Sequence, residues 1–144
     1  MELTREDLLE VYRQMVLTRV FDTKTQAWHR KGLTRETIHA STGQEAICTG
    51  SCYGLRKTDM VMPSLRSRGA FFARGVDPRT ILLAQTGKRG SPSDGHEASH
   101  HTAFPELGIL AGTGIVGSSI SIGVGAALAS QIKGRDDVVL IFFG

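Results

Sequence analysis

The sequence predicts an α/β fold in which a parallel sheet is flanked by helices, and three observations carry that prediction. Residues 138–143, VVLIFF, are six consecutive apolar residues, the pattern of a strand buried on both faces, as in parallel sheets covered by helices. Ahead of them "LGILAGTGIVGSSISIGVGAALASQIKG" reads as a short strand-like start, a glycine-rich turn and a helix ending near Gly134, which together with VVLIFF makes one crossover unit. The N-terminal third is helical by periodicity, so strands and helices alternate along one chain.

Taken in order, Thr4 is the expected N-cap of the first helix, with Asp7 three residues on as a variant of the capping box. Leu8, Leu9, Tyr12, Met15, Val16, Val20 and Ala27 share one helical face up to about Arg30, and Gly32 supplies the stop. Arg19 falls within that apolar face, so its guanidinium is expected to meet Asp22 or a residue of another chain. In "IHASTGQEAICTGSCYGL", Ser41 or Thr42 is the expected cap of a second helix. Its small residues Ala46, Gly50, Ser51 and Gly54 suggest close contact with another backbone. Cys48 and Cys52, four apart on this helix, face the same way and are read as packing residues, since two thiols without further ligands at metal spacing make a weak metal case. After the short extended piece DMVMPSLRSRG, Asp77 and Pro78 start a helix through Ile81, Leu82 and Leu83 to a stop at Gly87. Residues 88–104 are a polar loop carrying His96, His100 and His101, long enough to be functional.

Bulk properties narrow the function classes. The 144 residues suit one domain, and 40% hydrophobic with 22% charged content is that of a globular protein. The net charge of +3 is mild and no basic run would track a phosphate backbone, so no nucleic-acid partner is expected. No apolar stretch approaches the roughly 20 residues of a membrane helix, and the acidic, amphipathic start is unlike a signal peptide. A cytoplasmic or organelle-matrix location is expected, with no membrane partner.

Two short motifs match literally. "HEASH", His96 to His100, has the His-Glu-x-x-His spacing of zinc proteases, a chemistry that requires a helix. Gly95 before it and Pro105 after it argue for a loop. "GTGIVG", Gly112 to Gly117, matches the dinucleotide fingerprint Gly-x-Gly-x-x-Gly. That fingerprint needs an acid at the carboxyl end of the next strand. Asp136 and Asp137 precede the strand instead, which leaves NAD binding as an alternative and close backbone packing as another.

Read together, "IHASTGQEA", "SLRSRGAFFARG", "SHH", "GTGIVGSSISIGVGAALA" and "VVLIFFG" resemble, in order and spacing over nearly the whole chain, the alpha subunit of the thiamine-diphosphate-dependent first component of 2-oxo acid dehydrogenase complexes. The acetoin dehydrogenase alpha subunit belongs to the same group. The resemblance implies the thiamine-diphosphate-binding fold, with residues 1–144 as the N-terminal part of a single domain. It implies Gly114 and Val116 on the cofactor's pyrimidine through their backbone groups, Arg66 on the diphosphate, and His39 and His101 near the reacting carbons. His101 stands for the His of a Ser-Met-His loop, here Ser99-His100-His101. Gly144 would be the first glycine of a Gly-Asp-Gly motif, the Mg²⁺ ligands being expected beyond it. The chain differs from the family at Leu65, where a Tyr is usual, and at Arg68, where a His is usual. The implied reaction is oxidative decarboxylation of a 2-oxo acid, pyruvate or branched-chain, with acyl transfer to lipoyl; acetoin cleavage by the same chemistry is the alternative. The implied partners are a beta subunit in an α2β2 assembly and a lipoyl-bearing acyltransferase. As an N-terminal fragment the chain alone is expected to be inactive, and a nonenzymatic interaction module is the competing reading.

Overall fold

The computed structural model describes residues 3–143; Gly144 lies outside them. Five helices and two strands follow one another as α1 (Arg5–Arg30), α2 (Glu45–Cys52), β1 (Met60–Met62), α3 (Arg68–Ala73), α4 (Pro78–Gln85), α5 (Ser118–Ile132) and β2 (Val139–Ile141). The strands pair in parallel, Met60 with Val139, Val61 with Leu140 and Met62 with Ile141. On the other edge of β1, Val61 and Ser64 make parallel bridges to Ile109 and Thr113, so three chain segments run side by side in one direction.

Helices cover both faces of this sheet. Leu140 and Phe142 pack on Val61, Cys52 and Ala70 at the side of α2 and α3. Towards α5, a Cβ added to Gly123 would stand 2.5 Å from Ile141 Cδ1, which is how closely that helix is laid on β2. The α/β expectation therefore holds. Burial of residues 138–143 on both faces does not: Val138 and Phe143 are 53% and 65% exposed. The reason is lateral, because β2 is the edge strand among the described residues.

Helix α1 starts with the reciprocal cap read from the sequence, Asp7 N–H donating to Thr4 Oγ1 at 3.2 Å and Thr4 N–H to Asp7 Oδ2 at 2.8 Å, and Gly32 at φ 70 ends it. Its inner face is not the one hydrophobicity marks. Leu8, Leu9, Tyr12, Val16 and Val20 are exposed, and Thr18, Phe21, Asp22 and Thr25 are buried. The hydroxyls tolerate burial because they bond back to their own helix, Thr18 to the Gln14 carbonyl at 2.8 Å and Thr25 to the Phe21 carbonyl at 3.0 Å. Their short side chains also let α3 come close: a Cβ on Gly69 would lie 2.9 Å from Cys48 Cβ and 3.3 Å from Thr18 Oγ1.

Three further expectations are corrected by this tertiary packing. Arg19 pairs with Glu45 (Nε to Oε1, 2.5 Å), which holds the Glu45 carboxyl below its ordinary range, whereas Asp22 accepts from the Ser41 N–H at 2.6 Å. Neither Ser41 nor Thr42 caps α2; its N-cap is Gln44, without a side-chain cap, and Ser41 Oγ accepts from the Arg68 N–H at 3.1 Å. Ala46, Gly50 and Ser51 face solvent, and the glycine that allows close approach is Gly69 of α3. Cys48 and Cys52 are buried free thiols, pushed up to about 11 and about 12 by burial, so they are unionised packing residues as expected.

A seven-residue apolar cluster, Phe21, Phe71, Phe72, Val76, Ile81, Phe104 and Ile109, fills the space behind the sheet, with edge-to-face pairs Phe21–Phe72 and Phe71–Phe104. Helix α4 feeds it and begins as read, Asp77 Oδ1 accepting from the Arg79 N–H at 2.8 Å with Pro78 at its first position. Among the described residues no helix is long and apolar enough to cross a membrane.

Candidate functional site

In open parallel sheets ligands sit beyond the carboxyl ends of the strands, and here those ends converge on one cavity. Ser64 to Arg66 leave β1, Thr113 to Gly117 follow the bridged segment, and Phe143 follows β2; with Gln44 and Ser119 they enclose about 170 Å³. Ser64 and Ser67 fix the first of these turns, Ser64 N–H donating to Ser67 Oγ at 2.7 Å and that hydroxyl to the Ser64 carbonyl at 2.9 Å. The turn presents Leu65 and Arg66 at the cavity, with Arg66 exposed. Thr113 fixes the second, its Oγ1 accepting from the Ile115 N–H at 3.1 Å and bonding the Ser118 hydroxyl at 3.0 Å. Ser119 donates to the Phe142 carbonyl at 2.9 Å, tying the start of α5 to the end of β2.

The three glycines of GTGIVG have three different physical reasons. A Cβ on Gly112 would stand 2.0 Å from the His100 carbonyl oxygen, so only a bare Cα lets the histidine loop lie against the turn. Gly117 has φ +83 and is the N-cap of α5, a left-handed conformation that favours glycine. Gly114 has neither constraint: its φ is not positive, and a Cβ there would meet only His101 Nε2 at 3.6 Å and Leu65 Cδ2 at 4.0 Å. A residue that neither packing nor backbone requires to be glycine, at the wall of a cavity, is a place where a Cβ would take up room for something else.

The histidines form a row leading to that wall. His39 and His100 rings are 6.0 Å apart and His100 and His101 4.2 Å, both edge to face, while His101 Nε2 points at Gly114. His100 is pushed down to about 4, first by burial and then by its imidazole neighbour His101, so it is neutral at neutral pH. His101 is half exposed, with Glu97 Oε2 3.6 Å from its Nδ1.

Of the residues singled out by sequence, Arg66, Gly114 and Val116 line one cavity, and His101 adjoins it through Gly114. His39 is separated from it by His100, a member of the histidine cluster in the loop that the sequence marks as functional. Gly144 is outside the described residues. Gln44, Ser64, Thr113, Ser119 and Phe143 were missed; Thr113 sits inside the glycine motif and could have been found there, since a hydroxyl between two glycines is placed to tie a turn.

The two tempting motifs are spent on other tasks. His96 to Ala98 are not helical, and Ser99–His101 is a 3-10 turn; Glu97 faces His101 rather than a metal cluster. Asp136 and Asp137 stand before β2, away from the cavity, bound to Arg56 at 2.7 Å and Arg135 at 2.8 Å.

Comparison with known proteins gives a consistent picture. The family described as "Dehydrogenase E1 component" matches residues 12–144. The chain is 36% identical over 143 residues to a pyruvate dehydrogenase E1 component subunit alpha of Rhizobium meliloti (strain 1021), covering 99% of this chain and 41% of that protein. It is 37% identical over 142 residues to the somatic, mitochondrial form from Bos taurus and 36% identical to that from Homo sapiens, in each case covering 99% of this chain and 36% of the relative. The chain thus spans about two fifths of the length of the curated relatives it matches.

Proposed function

The chain belongs to the dehydrogenase E1 component family, and on that premise we propose that it supplies part of a thiamine-diphosphate site for oxidative decarboxylation of a 2-oxo acid, with pyruvate, the acid in its relatives' names, as first choice. The observation that carries this reading is Gly114: a glycine without a packing or conformational need, beside Arg66, at the convergent ends of parallel segments.

The residues suit the group. Arg66 offers a planar fork to diphosphate oxygens. The main chain of Gly114 and Val116 is open on the cavity side for the polar edge of an aminopyrimidine, and Leu65, Ile115 and Phe143 give apolar surface for its faces. Bound there, thiamine diphosphate supplies the carbon nucleophile and the electron sink for loss of CO₂. Among the described residues no group of three His, Cys, Asp or Glu could hold a metal; the Mg²⁺ ligands that the resemblance implies are expected beyond Gly144.

The chain's own part in the reaction is orientation and proton handling. His101, half exposed and next to Gly114, with Glu97 Oε2 3.6 Å from its Nδ1, stands where its ring can hydrogen-bond an oxygen of the substrate. His39 stands at the far end of the row and orients His100 by edge-to-face contact. At about 170 Å³ the cavity is below the roughly 300–1,000 Å³ usual for ligand sites; in this reading other parts of the protein and a beta subunit in an α2β2 assembly complete the site, and a lipoyl-bearing acyltransferase takes the acyl group.

The test is to assemble a full-length alpha subunit carrying these residues 1–144 with a beta subunit of the same family, and to follow CO₂ release from pyruvate and branched-chain 2-oxo acids, and acetaldehyde release from acetoin, with thiamine diphosphate and Mg²⁺. Turnover of a 2-oxo acid that falls by about 10- to 100-fold in Arg66→Ala, the worth of charge-assisted hydrogen bonds, is expected. Turnover of none of them overturns the proposal.

A further inference from the structure

We infer that Arg68 is a positioning residue: from α3 its guanidinium grips Ser99 and so sets the turn that carries His100 and His101 against the glycine turn. The functional meaning of that setting rests on the reading of the cavity above, but the grip itself stands on geometry. Arg68 is 3% exposed, deep between α1 and the histidine turn. Its Nη1 donates to Ser99 Oγ at 3.0 Å, and its Nε lies 3.5 Å from Asp22 Oδ1. The guanidinium carbon stands 5.8 Å from the Phe21 ring centre. Ser99, fully buried, is held from the opposite side by Glu36, whose carboxylate accepts from both the Ser99 N–H and its hydroxyl.

A buried ion pair adds little net stability over well-packed apolar groups, so stability alone does not account for a guanidinium here. What a planar, permanently charged fork does add is direction. Removing the turn's anchor would act on a specific contact: the His100 carbonyl fits against Gly112 with no space for a methyl group, so the turn has one seat and Ser99 is its hinge end. The Arg66–Arg68 stretch thereby reaches both halves of the site, Arg66 at the cavity and Arg68 at the histidine turn. The titratable and charged groups around His100 are His101, Glu36, Arg68 and His39, and Glu97 stands beside His101.

The experiment reads the imidazoles directly by NMR of the chain with labelled histidine, from about pH 5 to about pH 8, where an ordinary imidazole titrates. In the wild type His100 stays neutral throughout, consistent with its depressed value of about 4. In Ser99→Ala, which keeps the Arg68–Asp22 pair, and in Arg68→Lys, which keeps the charge and loses the fork, the loosened turn lets water reach His100. Its titration then enters the window and the His101 signal shifts, while His29, bonded to Thr34 at the end of α1, is unchanged. A folded Ser99→Ala chain whose His100 and His101 titrate as in the wild type overturns the inference. Unfolding of Ser99→Ala overturns it as well, since the serine would then be a strut of the core; if only Arg68→Lys fails to fold, Ser99→Ala decides. No cofactor enters this measurement, so its failure leaves the cofactor reading standing, and failure of cofactor binding leaves the grip standing.

Discussion

Helices α4 and α5 relate sequence to burial in opposite ways. In α4, Ile81 is fully buried, Ala84 nearly so, and Arg79 faces solvent, as an amphipathic helix is expected to behave. In α5, the buried residues are Ser119, Gly123 and Ser130, and Ile120, Ile122, Val124, Leu128 and Ile132 are exposed. The difference teaches that hydropathy gives the amount of apolar surface on a helix and not its address. α5 turns a small-residue stripe inward because Gly123 must admit Ile141, and α1 does the same with its threonines.

The largest effect that sharpens this contrast is a pair of truncations. Ile81→Ala should destabilise by about 2–5 kcal/mol, as for a fully buried aliphatic residue, whereas Ile132→Ala, at a residue 77% exposed, should stay within about 0.5 kcal/mol. Urea unfolding midpoints measure both. Equal losses would mean that the outer face of α5 is covered in solution and would break the comparison.

The glycine turn offers a second pair. Gly112→Ala forces a methyl group onto the His100 carbonyl and should cost about 1–3 kcal/mol as overpacking. Gly114→Ala, with only ordinary contacts to meet, should leave thermal stability nearly unchanged. Equal shifts in Tm would remove the distinction between a glycine needed for packing and one left for a ligand.

The pH dependence follows from His100. Its folded-state pKa of about 4 lies below the ordinary 6.5, so across that interval the unfolded chain binds the extra proton and stability falls as pH drops from about 6.5 towards 4. In His100→Gln the slope of Tm against pH over this interval should flatten. An unaltered slope would show that other groups set it.

The smallest expected effect concerns Gln85, fully buried at the end of α4 with neither amide atom hydrogen-bonded among the described residues. Gln85→Met removes that unsatisfied pair at similar volume and should stabilise by about 1 kcal/mol. Destabilisation in calorimetric unfolding would indicate that a bound water satisfies the amide.

What could be read from the sequence was local. The Thr4–Asp7 box, the Asp77–Pro78 start and the stops at Gly32 and Gly87 depend on neighbours within a few residues, and all four are found. The partner of Arg19, the task of Ser41 and the inner faces of α1 and α2 depend on how α1, α2 and α3 meet, and no periodicity encodes that. The candidate site divides the same way. Arg66, Gly114 and Val116 were legible through resemblance and do share a cavity. His100 was legible as part of a histidine-bearing loop, but its place between His39 and His101 was not, because that depends on how the loop packs in space.

The central claim is that the bare main chain at Gly114 is a cradle for thiamine diphosphate. Calorimetric titration of the cofactor with Mg²⁺ into a full-length alpha subunit carrying these residues, assembled with a beta subunit of the family, wild type against Gly114→Leu, tests it most directly, because the substitution meets no packing barrier at Cβ and adds bulk at the cavity wall. The account predicts binding in the wild type and a loss of at least about tenfold, roughly 1.4 kcal/mol, in Gly114→Leu at unchanged Tm; equal affinities for the two proteins would contradict it.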